Sequence, residues 1–113
     1  LIVGVTVLTS ENLGAGTLEE VLKRARNAKE AELDGVVCSV HETEAVRKEF
    51  GNDFVIVNPG IRSKGEDVHD QKRVATASEA LKAGANFIVV GRPILKAKDP
   101  LEAAKKIIEE MGN

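Results

Sequence analysis

At 113 residues, with 42% hydrophobic and 30% charged side chains and a net charge of −2, the chain has the size and composition of one soluble globular domain. The near-neutral balance supplies no basic stripe for nucleic acid, and no apolar run approaches the ~20 residues that a membrane-spanning helix needs. A single cysteine excludes an internal disulfide and fits a reducing compartment, most simply the cytoplasm.

The chain opens on LIVGVTVL, an apolar run without Met, polar lead-in or signal-peptide charge pattern, and so reads as a strand within something longer. Leu18, Val21, Leu22, Ala25, Ala28 and Leu33 then recur at helical spacing, with Thr17 and Glu20 placed as a capping box. Gly35–Cys38 is a second apolar run, followed by a shorter helix over His41–Phe50. Phe54–Val57 is a third run. It leads into VNPGIRSKGEDVHDQKR, an unusually long polar connection, since most loops in compact domains take about 4–6 residues.

Thr76 and Glu79 form another capping box ahead of Ala80, Leu81 and Ala83, and Gly84 is placed to end that helix. Phe87–Val90 is the fourth run. Asp99 and Pro100 suit the start of a last helix, with Leu101, Ala104, Ile107, Ile108 and Met111 as its apolar stripe. Unbroken Val/Ile/Leu runs are what a parallel sheet covered on both faces requires. The order βαβαβαβα, without a linker, predicts one α/β unit over 1–113, either a small open sheet or half of an eight-stranded barrel. Phe is the only aromatic, at 3%, so the core must be aliphatic.

Ligands in parallel α/β proteins meet the carboxyl ends of the strands. Those ends carry Thr9 and Ser10, then Cys38 to His41, then Asn58 to Arg62, then Gly91 and Arg92. Gly91 allows close backbone approach to an oxyanion, and the Arg92 guanidinium matches phosphate oxygens. The same pair can equally be a glycine turn with a solvated arginine. The long loop has mixed charge, as an ordinary surface loop would, although the Gln71 amide can both donate and accept. Cys38 reads as an inert core thiol and His41 as structural. The histidines and the cysteine match no zinc spacing, and no nucleotide-binding glycine loop occurs.

The segments GVTVLTS, DGVVCSVHE, VNPGIR, DQKRVATASEAL and FIVVGRPI, in that order, resemble the C-terminal half of bacterial-type orotidine 5′-phosphate decarboxylases. The resemblance implies units five to eight of a TIM (β/α)8 barrel, and a cytoplasmic homodimer that converts orotidine monophosphate to UMP without cofactor or metal. It implies substrate contacts at Thr9, Ser10, Arg62, Gln71, Gly91 and Arg92, the long loop acting as a phosphate-gripping lid.

Three departures stand out. Asn58 replaces a Thr common before Pro-Gly, and the stretch after LTS is short. The family's Asp-x-Lys-x-x-Asp catalytic array is also absent, so the resemblance implies an N-terminal half-barrel partner and no catalytic residue in these 113 positions. The competing expectations are a non-catalytic half-barrel that acts as a folding and assembly module, or another phosphosugar barrel, such as a keto-sugar-phosphate decarboxylase or a pentose-phosphate epimerase.

Overall fold

A computed structural model describes residues 1–7, 16–63 and 75–112. The elements are β1 (Val3–Val5), α1 (Thr17–Glu30), β2 (Gly35–Val37), α2 (Val40–Phe50), β3 (Val55–Asn58), α3 (Ala77–Ala83), β4 (Phe87–Ile88), α4 (Arg92–Leu95) and α5 (Pro100–Gly112). The four strands form one parallel sheet in the order β1-β2-β3-β4. Its register aligns Val5, Val37, Val57 and Phe87 across the sheet.

One face of the sheet packs under the helices. Val36 and Ile56 are fully buried there with Val21 and Ala25 of α1 and Val46 of α2. Full burial of side chains this size stabilises by about 1.5–3 kcal/mol each. A second cluster joins Ile61, Ala77 and Ala80 to Ile107 of α5. The other face is open: Val5, Phe87 and Val89 are 56%, 53% and 52% exposed. Gly35 sets the fit between β2 and β3, since a β-carbon there would lie 1.8 Å from the Val55 carbonyl oxygen.

Arg47 clasps the opposite end of the sheet from the strands' carboxyl termini. Its guanidinium donates to the carbonyls of Gly84 (2.7 Å), Phe54 (2.5 Å) and Gly51 (2.8 Å) and to Asn86 Oδ1 (2.7 Å). Asn86 Oδ1 also accepts from the Ile56 N–H at 2.8 Å. The end of α2 is thereby tied to the turn after α3 and to the starts of β3 and β4. Gly84 ends α3 at φ 111°, a left-handed position that suits glycine.

Several local expectations change in three dimensions. The Thr17–Glu20 capping box does not form: α1 starts at Thr17 behind Gly16 with no side-chain cap, and Glu20 instead pairs with Arg24 one turn on, at 2.7 Å. Helix α2 starts earlier than expected, with the Ser39 hydroxyl accepting from the His41 N–H at 3.0 Å. The regular ladder is shorter than the apolar runs, and the short helix α4 breaks the fourth run's exit. In α5, Ile107 is buried while Leu101 and Ile108 are 63% and 64% exposed.

The Thr76–Glu79 capping box does form, with the Thr76 N–H donating to Glu79 at 2.9 Å and the Glu79 N–H to Thr76 Oγ1 at 3.2 Å. The Thr76 backbone N–H, and after it the hydroxyl, holds the Glu79 carboxyl below its ordinary 4.5. The folded state favours the ionised form, so the cap stabilises fully above that ordinary value and is lost as pH falls through the lowered one. Glu79→Gln is therefore expected to flatten the acid limb of a stability–pH profile measured by urea unfolding. Arg47→Ala should cost about 3 kcal/mol in the same assay, because it abandons several carbonyls to which a charged donor was bonded.

Candidate functional site

Because every strand is parallel, the carboxyl ends of β1 to β4 share one rim. Thr9, Ser10 and Gln71, and most of the long loop expected to be a lid, lie outside the described residues. The segments leaving β2, β3 and β4 build the rim.

At the end of β3 the chain passes through Pro59 to Gly60, which takes φ 74°, a conformation that a side chain would strain. Ile61 then pairs in parallel with Ala75. The Arg62 N–H donates to the Ala75 carbonyl at 2.9 Å, and the Ala75 N–H to the Gly60 carbonyl at 3.1 Å. These bonds hold the two ends of the long loop together at its base. Arg62 is 6% exposed, with Nη1 donating to the Ile61 carbonyl at 2.8 Å. Ile61 anchors this corner in the second core cluster.

At the end of β4, Gly91 precedes α4, and its carbonyl accepts from the N–H groups of Ile94 and Leu95, both at 3.0 Å. Arg92 opens that helix and is half-buried. Among the described residues, no atom outside its immediate neighbours lies within 4 Å of where a Gly91 β-carbon would stand. Packing of the described residues therefore does not demand a glycine at this place. Arg62 and the Gly91–Arg92 pair leave from adjacent strands on the same side of the sheet.

Between β2 and β3 lies a buried polar knot that the strand patterns missed. Asn58 is fully buried on the helix side of the sheet. Its Nδ2 donates to the Cys38 carbonyl and to Thr43 Oγ1, both at 2.7 Å. Thr43 Oγ1 donates to the Ser39 carbonyl at 2.9 Å, which leaves the Cys38 thiol as donor in its 3.8 Å contact with Thr43. Ser39 Oγ donates to the buried Glu42 carboxylate at 3.4 Å. Asn58 Oδ1 is buried with no hydrogen-bond partner among the described residues. The knot ties the strand that leads to Arg62 to both β2 and α2. The available signal was a lone amide two residues after Ile56 in an otherwise apolar strand, a position facing the helices. Cys38 is buried as expected, whereas His41 is exposed on α2.

Among the described residues no cluster of His, Cys, Asp or Glu could hold a metal ion, and no helix is long and apolar enough to cross a membrane.

A sequence model of the orotidine 5′-phosphate decarboxylase / HUMPS family matches residues 1–107. Orotidine 5′-phosphate decarboxylase of Actinobacillus pleuropneumoniae serotype 5b is 44% identical over 95% of this chain and 50% of its own length. The Geobacter sp. (strain M21) enzyme of the same name is 46% identical over 97% of this chain and 49% of its own. The crystal structure of orotidine 5′-phosphate decarboxylase from Lactobacillus acidophilus superposes with a TM-score of 0.76 at 36% identity, covering 96% of this chain and 48% of that one. The chain thus spans about half the length of the relatives it matches, and its four βα units are half of a TIM barrel.

Asn58→Leu keeps the volume but removes the donor to Cys38 and Thr43. It is expected to cost about 2–3 kcal/mol in urea unfolding. Cys38, the only cysteine, should then react faster with a thiol reagent under native conditions, a rate that directly reports opening of the knot.

Proposed function

The chain belongs to the orotidine 5′-phosphate decarboxylase / HUMPS family, and we propose that it supplies the phosphate- and pyrimidine-binding half of a decarboxylase that converts orotidine monophosphate to UMP. The observation that carries this reading is the emergence of Arg62 and of Gly91–Arg92 from neighbouring parallel strands onto one rim. A planar guanidinium and a backbone N–H at an uncrowded glycine suit a phosphate dianion. Arg62, with Gln71 of the long loop, would close over the phosphoribosyl end. Thr9, supported by Ser10, would stand beside the pyrimidine at the end of β1.

Decarboxylation breaks the bond between C6 and the carboxyl carbon, leaves the electron pair at C6, and needs a proton delivered there. Large enzymatic accelerations demand up to about 23 kcal/mol of transition-state stabilisation. Contacts to a remote phosphate help supply that binding energy, but they provide no proton donor. The Asp-x-Lys-x-x-Asp pattern that would stabilise the C6 carbanion is absent from these 113 residues. In this reading a complementary half-barrel contributes those charges, and the whole works without cofactor as a cytoplasmic homodimer. The PGIR and DQKR segments favour the orotidine substrate over other sugar phosphates.

UMP titrated into the chain by calorimetry is expected to bind, with Arg92→Ala and Gln71→Ala weakening it at least ~10-fold, roughly the loss of one good charged contact. Equal binding by all three proteins would remove the site assignment. Orotidine monophosphate should be turned over only after an N-terminal half-barrel bearing the Asp/Lys array is added, as followed by loss of orotate absorbance. Turnover by the chain alone would refute the division of labour.

A further inference from the structure

Asn58 is a fully buried amide that none of the proposed ligand contacts uses, and it stands where the exits of β2, β3 and β4 meet. We infer that Asn58 is a positioning residue: it holds those exits at fixed spacing, and so sets how far Arg62 stands from the Gly91–Arg92 pair across a bound phosphate dianion. For its ligand this rests on the function proposed above; the spacing itself does not.

The β2–β3 ladder shows why a side-chain donor is needed here. The Asp34 carbonyl accepts from the Val55 N–H at 3.0 Å, and the Cys38 N–H donates to the Val57 carbonyl at 3.0 Å. In a parallel ladder a residue that donates to one position accepts from the position two further on, so the Cys38 carbonyl is next due the N–H of residue 59. Residue 59 is proline and has no N–H. Asn58 fills that place, with Nδ2 2.7 Å from the Cys38 carbonyl. The chain therefore turns away through Pro59 and Gly60 while β2 stays joined to β3.

The other Nδ2 proton goes to Thr43 Oγ1, also at 2.7 Å. Thr43 gives its own proton to the Ser39 carbonyl at 2.9 Å, so towards Asn58 it only accepts. Both partners thus demand a donor, and α2 is fixed to the end of β3 as well.

The Asn58 backbone reaches the opposite way. Its carbonyl accepts from the Val89 N–H at 2.9 Å, two residues before Gly91. Forward along the chain, Pro59, Gly60 and Ile61 lead to Arg62. Proline has a fixed φ, Gly60 sits at φ 74° and Ile61 is fully buried, so little slack separates Asn58 from the Arg62 backbone. A shift of Asn58 is passed to both anion-binding arms. Misplacing a binding group by about 1 Å costs on the order of 10²-fold in favourable cases.

Hydrogen exchange reads the spacing without any ligand. In Asn58→Leu the amides of Arg62 and Val89 should quicken at least ~10-fold more than those of Val55 and Ile56, which are bonded at the Arg47 end of β3. Equal quickening of all four, the mark of general destabilisation, would overturn the inference, as would none. Thr43→Val keeps the shape and removes one acceptor, and it serves where the leucine variant does not fold. The same rim amides should then quicken about 5-fold, the loss of one neutral hydrogen bond, and no change would again count against Asn58.

Calorimetry separates this role from the ligand reading. Asn58→Leu should weaken binding of UMP and of inorganic phosphate at least ~10-fold per folded molecule. Arg92→Ala should cost less affinity in that variant than in the parent, because the two arms no longer grip together. Losses that simply add would leave Asn58 a structural residue and sink the positioning role. A parent chain that binds neither ligand refutes the proposed phosphate site, while the exchange ratios still decide whether Asn58 sets the rim.

Discussion

A β-carbon on Gly35 would stand 1.8 Å from the Val55 carbonyl oxygen, so β2 and β3 approach as they do only because residue 35 has none. That approach fixes Val36 beside Ile56 and Val37 beside Val57. Strand side chains alternate between faces, so a slip of one residue would exchange the buried row for the open one. This register sets the burial of Asn58, the exposure of the Val37–Val57 row, and the rim from which Arg62 departs.

The two ends of the sheet are held by different chemistry. At the amino ends Arg47 gathers carbonyls from two turns and the side chain of Asn86, a staple remote from the rim. At the carboxyl ends Asn58, Thr43 and Ser39 form a chain of donors and acceptors under the rim. Each arrangement pairs polar groups that burial would otherwise penalise, Asn58 Oδ1 excepted. This division matches barrel enzymes, in which one face carries stability and the other the ligand.

The same structure leaves surfaces that a self-sufficient domain would cover. An apolar sheet face, two parallel edges and the exposed leucines of α1 and α5 all lie where further βα units would continue the pattern. In the proposed decarboxylase, an N-terminal half-barrel would cover them and bring the catalytic charges.

Much was legible in the residues. The apolar runs, the Thr76–Glu79 box, Gly84 as a helix end and the βα alternation depend on local periods and caps, which the chain carries within a few residues of each site. The PGIR and VVGRPI segments pointed to the family, and the family model agrees. Other features depend on contacts distant in sequence. Thr17 and Glu20 spell a cap, yet Glu20 pairs with Arg24. Leu101 and Ile108 belong to one stripe with Ile107 and Met111, yet Ile107 and Met111 meet the Ile61–Ala77–Ala80 cluster while Leu101 and Ile108 stay exposed. Asn58 stood out in the sequence only as a replacement for Thr before Pro-Gly; its partners, Cys38 just past β2 and Thr43 of α2, lie 20 and 15 residues away. Local sequence determines which elements form because each period and cap acts within a turn or two. Tertiary structure decides which faces are dry, because burial belongs to pairs of elements and no single segment contains both.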